Sequence, residues 1–338
     1  MAAERIALVK LSSLGDVVHA LPVAATLRAA RPDAWLAWIV EEREAAVLRD
    51  HPALNEVIVV HTRRWRRARR PGDLFAAARD IRAARRQLRM GRFDVALDLQ
   101  GLIKSGLLTA ATGAPVRIGF DRKWRREPAG GLFTNRQIAP PSTRHVVEQY
   151  LALLKPLGIT TPRLEFRLPT VAAAEARLDE WLTTAGLKPR QRLVVLNPGA
   201  GRADKRWPVP RFVELARHLG QDAGAHVVVA WGPGEESAAR AIVDGAGAAG
   251  PRPLLAPPTD LHALIALLRR ASVMVAADTG PLHLAAALGT PCVGLYGPTA
   301  AARNGPYGAG HAALTAPGGT MAALATAPVA AAVMERLG

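Results

Sequence analysis

Cysteine is almost absent from this chain. Cys292 stands alone among 338 residues, which excludes an internal disulfide and any cysteine-rich metal site. It follows a proline inside an apolar run and reads as a buried structural thiol. Aromatic residues make up only 5% of the chain, few for a surface that stacks nucleic-acid bases. No apolar run approaches the ~20 residues that span a bilayer. At the N-terminus Arg5 and Lys10 bracket four apolar residues, too few for a secretory leader, so a cytoplasmic or peripheral protein is expected. The dinucleotide fingerprint G-x-G-x-x-G is missing as well, which disfavours a nicotinamide-dependent oxidoreductase.

Acidic residues are also in short supply. There are 28 Asp and Glu against 44 Lys and Arg, a net charge of +16. The excess is uneven. Residues 1–169 carry 29 basic and 16 acidic residues (net +13), and residues 170–338 carry 15 and 12 (net +3). Such asymmetry points to a polyanionic partner bound mainly by the first half. Nucleic acid, an anionic membrane and a phosphorylated substrate all fit, as does a coding bias that spells surface lysine as arginine. No recognised DNA- or RNA-binding module accompanies the charge.

What is present is a repeated strand–loop–helix pattern, and 49% hydrophobic residues, enough for two cores. Residues 5–10, 35–40, 56–60, 93–99 and 116–120 read as strands, and 16–31 as a helix. The pattern restarts with strands over 192–197, 226–231, 273–277 and 292–296, and helices over 209–223, 235–246, 261–270 and 281–288. Alternation of this kind predicts an α/β fold with parallel sheets covered on both faces. The expected domains are 1–160 and 171–320, joined by a linker over 161–170 with Pro162 and Pro169. The Ala-rich segment 321–338 is expected to be a helix that returns to the first domain.

The informative motifs follow predicted strands, where ligands bind in doubly wound sheets. Ser12-Ser13-Leu14-Gly15-Asp16 joins the first strand to the first helix. Gly15 permits a tight turn, and Asp16 is placed either to cap the helix or to act as a general base on a hydroxyl. The run from His61 to Arg92 contains twelve arginines. Arg79, Arg82, Arg85, Arg86 and Arg89 recur at helical spacing and suit a solvated face. Arg63, Arg64, Arg66 and Arg67 surround Trp65 in an expected loop and suit phosphate or carboxylate. Gln100 and Lys104 follow the fourth strand, and Arg126 falls in an irregular stretch of the kind that carries contacts. In the second half, Gly199, Ala200 and Gly201 let a backbone approach phosphate, and Lys205 places a point charge there. Asp278-Thr279-Gly280 opens a helix whose N–H groups can hold phosphate oxygens. His283 alone reads as an ordinary helix histidine. Glu235, after a strand, accepts a sugar hydroxyl or caps a helix.

The order SSLGD, RRWR, DLQGLIKS, RREPAGGLFTN, PGA…DKRWP, WGPGEE and DTGPLHLAAALGTP resembles the lipopolysaccharide heptosyltransferases of glycosyltransferase family 9, over roughly residues 5–310. The resemblance implies a GT-B fold, in which two Rossmann-like doubly wound domains face a central cleft. It implies no metal and no other cofactor. The donor would be ADP-heptose, transferred with inversion to anionic Kdo-lipid A at the cytoplasmic face of the inner membrane, by a monomer with no nucleic-acid partner. By motif, Asp16 matches the family's base and Lys205 its diphosphate-stabilising lysine. Gly199, Ala200, Gly201, Glu235, Asp278, Thr279, Gly280 and His283 match the donor site. Ser13, Gly15, Arg63, Arg64, Arg66, Arg67, Gln100, Lys104 and Arg126 match the acceptor side. The RRWR and REP elements are the more specific to the member that adds the first heptose. Relatives carry hydroxyl side chains where this chain has Ala200 and Gly201, which bears on donor preference.

Overall fold

The computed structural model describes residues 3–141, 145–188, 191–247 and 250–338. Two compact units divide the chain, Met1–Arg167 and Leu168–Gly338.

The first unit contains strands β1 (Arg5–Val9), β2 (Trp35–Glu41), β3 (Glu56–Val60), β4 (Val95–Asp98), β5 (Val116–Phe120) and β6 (Arg136–Ile138). Its helices are α1 (Leu14–Ala30), α2 (Thr62–Arg67), α3 (Pro71–Met90), α4 (Ile103–Ala111) and α5 (Val146–Ala152). The strands pair in the order β3-β2-β1-β4-β5-β6, all parallel. The second unit repeats the plan with β7 (Leu193–Asn197), β8 (His226–Val229), β9 (Leu254–Leu255), β10 (Val273–Ala277), β11 (Cys292–Tyr296) and β12 (Ala312–Thr315). Its helices are α6 (Ala172–Thr184), α7 (Val209–Asp222), α8 (Glu236–Ala246), α9 (Leu261–Arg270), α10 (Gly280–Ala287), α11 (Ala301–Asn304) and α12 (Thr326–Leu337). The order β9-β8-β7-β10-β11-β12 is the same doubly wound order, again parallel throughout.

The central strands are apolar runs because helices cover both faces. β1, β4, β7 and β10 are buried almost end to end. The sheet cores differ in composition: Ala7, Val9, Ile39, Leu88 and Ala96 pack in the first unit, and Val194, Leu196, Trp207, Phe212 and Val275 in the second. Cys292 is fully buried in β11, and burial pushes its thiol up, as a structural role requires.

One reading of the sequence is corrected here. The arginine cluster 63–67 lies in a short helix, α2, not in a loop. The helix runs into Ala68, which is buried, and Trp65 packs on the core, so the segment is anchored from within. The apolar stripe of α12 belongs to the core of the second unit, where Val329, Ala330 and Val333 are buried with Trp207 and Leu219.

Candidate functional site: a carboxylate in the first unit and a lysine–carboxylate–histidine cluster in the second

At the centre of each sheet, neighbouring strands send their chains to opposite faces, and the loops after them diverge. That divergence opens a crevice at the carboxyl ends of the strands. In the first unit the two strands are β1 and β4, with Val9 directly opposite Asp98. Asp98 is buried and its burial pushes the carboxyl up, against the hydrogen bonds it accepts. Its Oδ1 accepts the amides of Gln100 (2.9 Å) and Gly101 (3.1 Å), and its Oδ2 accepts the Ser105 hydroxyl (3.1 Å). Gly101 adopts φ +71°, the left-handed turn that glycine makes freely. Gln100 in turn clamps the loop after β1. Its Oε1 accepts from Leu11 N (2.8 Å) and Ser12 N (3.2 Å), and its Nε2 donates to the Ser12 carbonyl (2.6 Å). Gln100 therefore uses its amide to position that loop.

That loop delivers Asp16. α1 begins at Leu14 after Ser13, so Asp16 is the third helical residue. Its Oδ2 accepts the backbone N–H (3.1 Å) and the hydroxyl (2.8 Å) of Ser13, one arm of a capping box. Its Oδ1 accepts the Tyr150 hydroxyl (3.1 Å) and lies 3.8 Å from Lys10 Nζ. Lys10 is itself buried and donates to Tyr150 Oη (2.7 Å) and to the Leu99 carbonyl (3.1 Å). Burial acts to raise the Asp16 carboxyl. The Lys10 charge, the Ser13 hydrogen bonds and His19 outweigh it, and the group is held well below the usual carboxylate range. Capping and chemistry are thus not rivals. One oxygen fastens the helix start, while the side chain as a whole stays 38% exposed. Gly15 is buried in the first turn beside it.

The basic residues expected on the acceptor side divide into groups. Arg63 pairs with Glu44 (2.7 Å), a buried glutamate that burial pushes up, and Lys104 sits within electrostatic reach of Glu41, Glu44, Arg63 and Arg66. Arg64 is drawn aside by an ion pair with Asp80 of α3. Arg66, Arg67 and Arg126 are exposed, and their guanidinium groups make no hydrogen bond or ion pair with a described residue. Lys104 is half-buried, and its ammonium is pushed down by burial against the pull of Glu41.

In the second unit the crevice strands are β7 and β10, with Asn197 opposite Ala276. Lys205 Nζ donates to Asp278 Oδ2 (2.8 Å), and His283 Nε2 lies 3.1 Å from Asp278 Oδ1. His283 comes from α10, which opens at Gly280 after Thr279, and its ring is paired with Asp278. The burial of Asp278 opposes its ionisation. The His283 and Lys205 hydrogen bonds win and bring it down to about 2. Thr279 turns its hydroxyl to the Ala277 carbonyl (3.1 Å), so the Gly280 end of the helix offers backbone N–H groups to an anion. Glu235 precedes α8 and accepts from the Gly232 amide (2.9 Å). A methyl group on Gly199 would coincide with the Glu235 carboxylate, which explains the glycine. The Ala200 side chain is buried, and Gly201 is exposed with open space around it. Trp207 of the K-R-W-P element is structural: it is buried, its Nε1 donates to the Leu324 carbonyl (2.9 Å), and it packs edge-on to Phe212.

Two parallel doubly wound units, each carrying ionised or cationic groups at its crevice, have the plan of the GT-B class. Residues 81–326 match the model of glycosyltransferase family 9 (heptosyltransferase). Lipopolysaccharide heptosyltransferase 1 of Escherichia coli is 34% identical over 306 residues, 90% of this chain and 91% of that protein. The protein of the same description from Pseudomonas aeruginosa is 34% identical over 307 residues, 90% and 81% of the two chains. Among solved structures, E. coli heptosyltransferase WaaC with ADP matches with a TM-score of 0.81 and 32% identity, covering 98% of this chain and 99% of that one. WaaC with ADP-2-deoxy-2-fluoro heptose matches with a TM-score of 0.78. The chain belongs to glycosyltransferase family 9, the heptosyltransferases.

Sequence reasoning missed Lys10 and Tyr150. Lys10 carried a signal, a charge closing a strand that is otherwise apolar. Tyr150 carried none, because its contact with Asp16 bridges 134 positions of sequence.

Proposed function

We propose that this enzyme is heptosyltransferase I. It moves heptose from ADP-L-glycero-β-D-manno-heptose to a Kdo hydroxyl of Kdo-lipid A, with inversion at the anomeric carbon. The observation that carries this reading is the ionised, half-exposed Asp16 at the first crevice. A Kdo hydroxyl oxygen attacks the anomeric carbon from the face opposite the leaving group. The bond from that carbon to the β-phosphate oxygen breaks, its electron pair leaves on ADP, and the hydroxyl proton passes to Asp16. A carboxylate held this low is a weak base toward a neutral alcohol. It becomes adequate once the new C–O bond has acidified the proton, so transfer is late. Lys205 and the Gly280 amides meet the charge that develops on the diphosphate. Asp278 holds Lys205 until the donor arrives, and Glu235 and His283 complete the donor side. Arg63, Arg66, Arg67, Lys104 and Arg126 face the carboxylates and phosphates of the acceptor.

The names of the relatives and the first-half charge excess support this donor and acceptor. The enzyme works as a monomer at the cytoplasmic face of the inner membrane, without metal and without nucleic acid. Asp16→Ala tests the reading. It is expected to lose turnover by about 10²–10⁴-fold while keeping its fold and its affinity for ADP-heptose. Near-normal turnover would remove Asp16 from the chemistry.

A further inference from the structure

The arginines of α3 take no part in either crevice. Phe75, Arg79, Arg82, Arg86 and Arg89 follow one another at helical spacing, so they share one face, and each is exposed. The opposite face supplies Ala77 and Leu88 to the buried interior. Asp80 is already paired with Arg64, and none of the five arginines of α3 forms an ion pair with a described residue. This basic face also carries Phe75, which is 72% exposed, and Leu74 and Ile81 are exposed further round the helix, toward the buried side. α4, which packs beside α3, exposes Ile103 and Leu107, and the turn packed on α4 exposes Leu132. All nine large hydrophobic side chains exposed among the described residues lie in the first unit.

We propose that the outer face of α3 docks the enzyme on an anionic lipid bilayer. The arginines lie against headgroup phosphates, and Phe75 enters the interface. An amphipathic helix with a basic face and apolar anchors binds membranes by these two terms together. Exposed leucine and isoleucine favour lipid over nucleic acid, whose backbone offers them nothing. The inference deepens the membrane association in the proposed function, but it rests on the charge and exposure of α3, not on the transferase chemistry.

The test is flotation of the full-length protein with vesicles of phosphatidylcholine alone, or of phosphatidylcholine with phosphatidylglycerol, with neither donor nor acceptor present. Binding is expected only with phosphatidylglycerol, weakening as salt rises. Arg82→Gln and Arg86→Gln should each weaken it about fivefold. Phe75→Ser should weaken the part that survives high salt. All three variants should turn over a deacylated, water-soluble acceptor at the wild-type rate. Equal binding by wild type and variants, or equal binding to both kinds of vesicle, would overturn the proposal. So would binding of duplex DNA or RNA through these arginines with no vesicle binding. Because no substrate is present, failure here leaves the transferase reading standing, and failure of transfer leaves vesicle binding to be read on its own.

Discussion

Replacing Lys10 with methionine isolates what keeps Asp16 ionised. The two side chains are 3.8 Å apart. At an effective dielectric near 20 that separation corresponds to about 4 kcal/mol, or about three pKa units. Asp16 is 38% exposed, and solvent screens such a pair heavily, so a shift of about one to two units is the working figure. The sign is fixed by the direction of the present perturbation. Asp16 is depressed, so its base form, and the stability it contributes, persist above the ordinary carboxylate pKa and are lost only as pH falls through the folded value. Without Lys10, burial is opposed only by the Ser13 hydrogen bonds and His19, the carboxyl rises, and the acid limb of kcat/KM moves up by about one to two pH units. The groups that face or adjoin Asp16 are Ser13 and His19 on α1, Tyr150 on α5, Lys10 after β1, and Asp98 and His145 behind Lys10 and His19. The assay is acceptor-dependent ADP release across pH, with thermal unfolding to confirm that the variant folds. Tyr150→Phe serves as the comparison. It removes the hydroxyl's bonds to Asp16 and from Lys10 but no charge, so kcat should fall about two- to tenfold while the acid limb stays in place. An acid limb in Lys10→Met that coincides with the wild type would refute the reasoning.

Three other substitutions give distinct outcomes. Lys205→Ala removes the cation from the leaving diphosphate, and kcat should fall about 10²–10³-fold. In the same variant Asp278 loses one of its two partners and should titrate above about 2, which carbon-detected NMR of its carboxyl would follow. Gly199→Ala drives a methyl into the Glu235 carboxylate, so the KM for the donor should rise with a stability loss of about 1–3 kcal/mol, read by calorimetry and urea unfolding. Trp207→Ala should cost about 3–5 kcal/mol, because a buried ring, its packing on Phe212 and its bond to Leu324 all go. An unfolding midpoint unchanged from wild type would remove Trp207 from its place as anchor.

The two sheets were legible because parallel strands buried on both faces are written as short apolar runs, with helical segments between most of them. Even the placement of Asp16, Lys205 and Asp278 was legible, since each follows one of the central strands. What the sequence did not carry was the partnering of polar groups across long separations. Gln100 looked free to meet a ligand, yet its amide is used by the backbone of Leu11 and Ser12. Arg63 and Arg64 looked like a uniform anion site, yet Glu44 and Asp80 engage them from neighbouring elements. Tyr150 reaches Asp16 and Lys10 only because α5 packs against α1, an association that local pattern does not encode. The fate of α12 was equally hidden. An Ala-rich helix carries no mark of which core it will join.

The measurement that bears most directly on the central claim is ADP release from ADP-heptose with and without Kdo-lipid A, followed by mass analysis of the lipid. Acceptor-dependent release with a single heptose added to the lipid is the predicted result. Donor binding with no heptose on the lipid would contradict the assigned acceptor, and absence of donor binding would contradict the account of Lys205, Asp278 and Glu235 as a site for ADP-heptose.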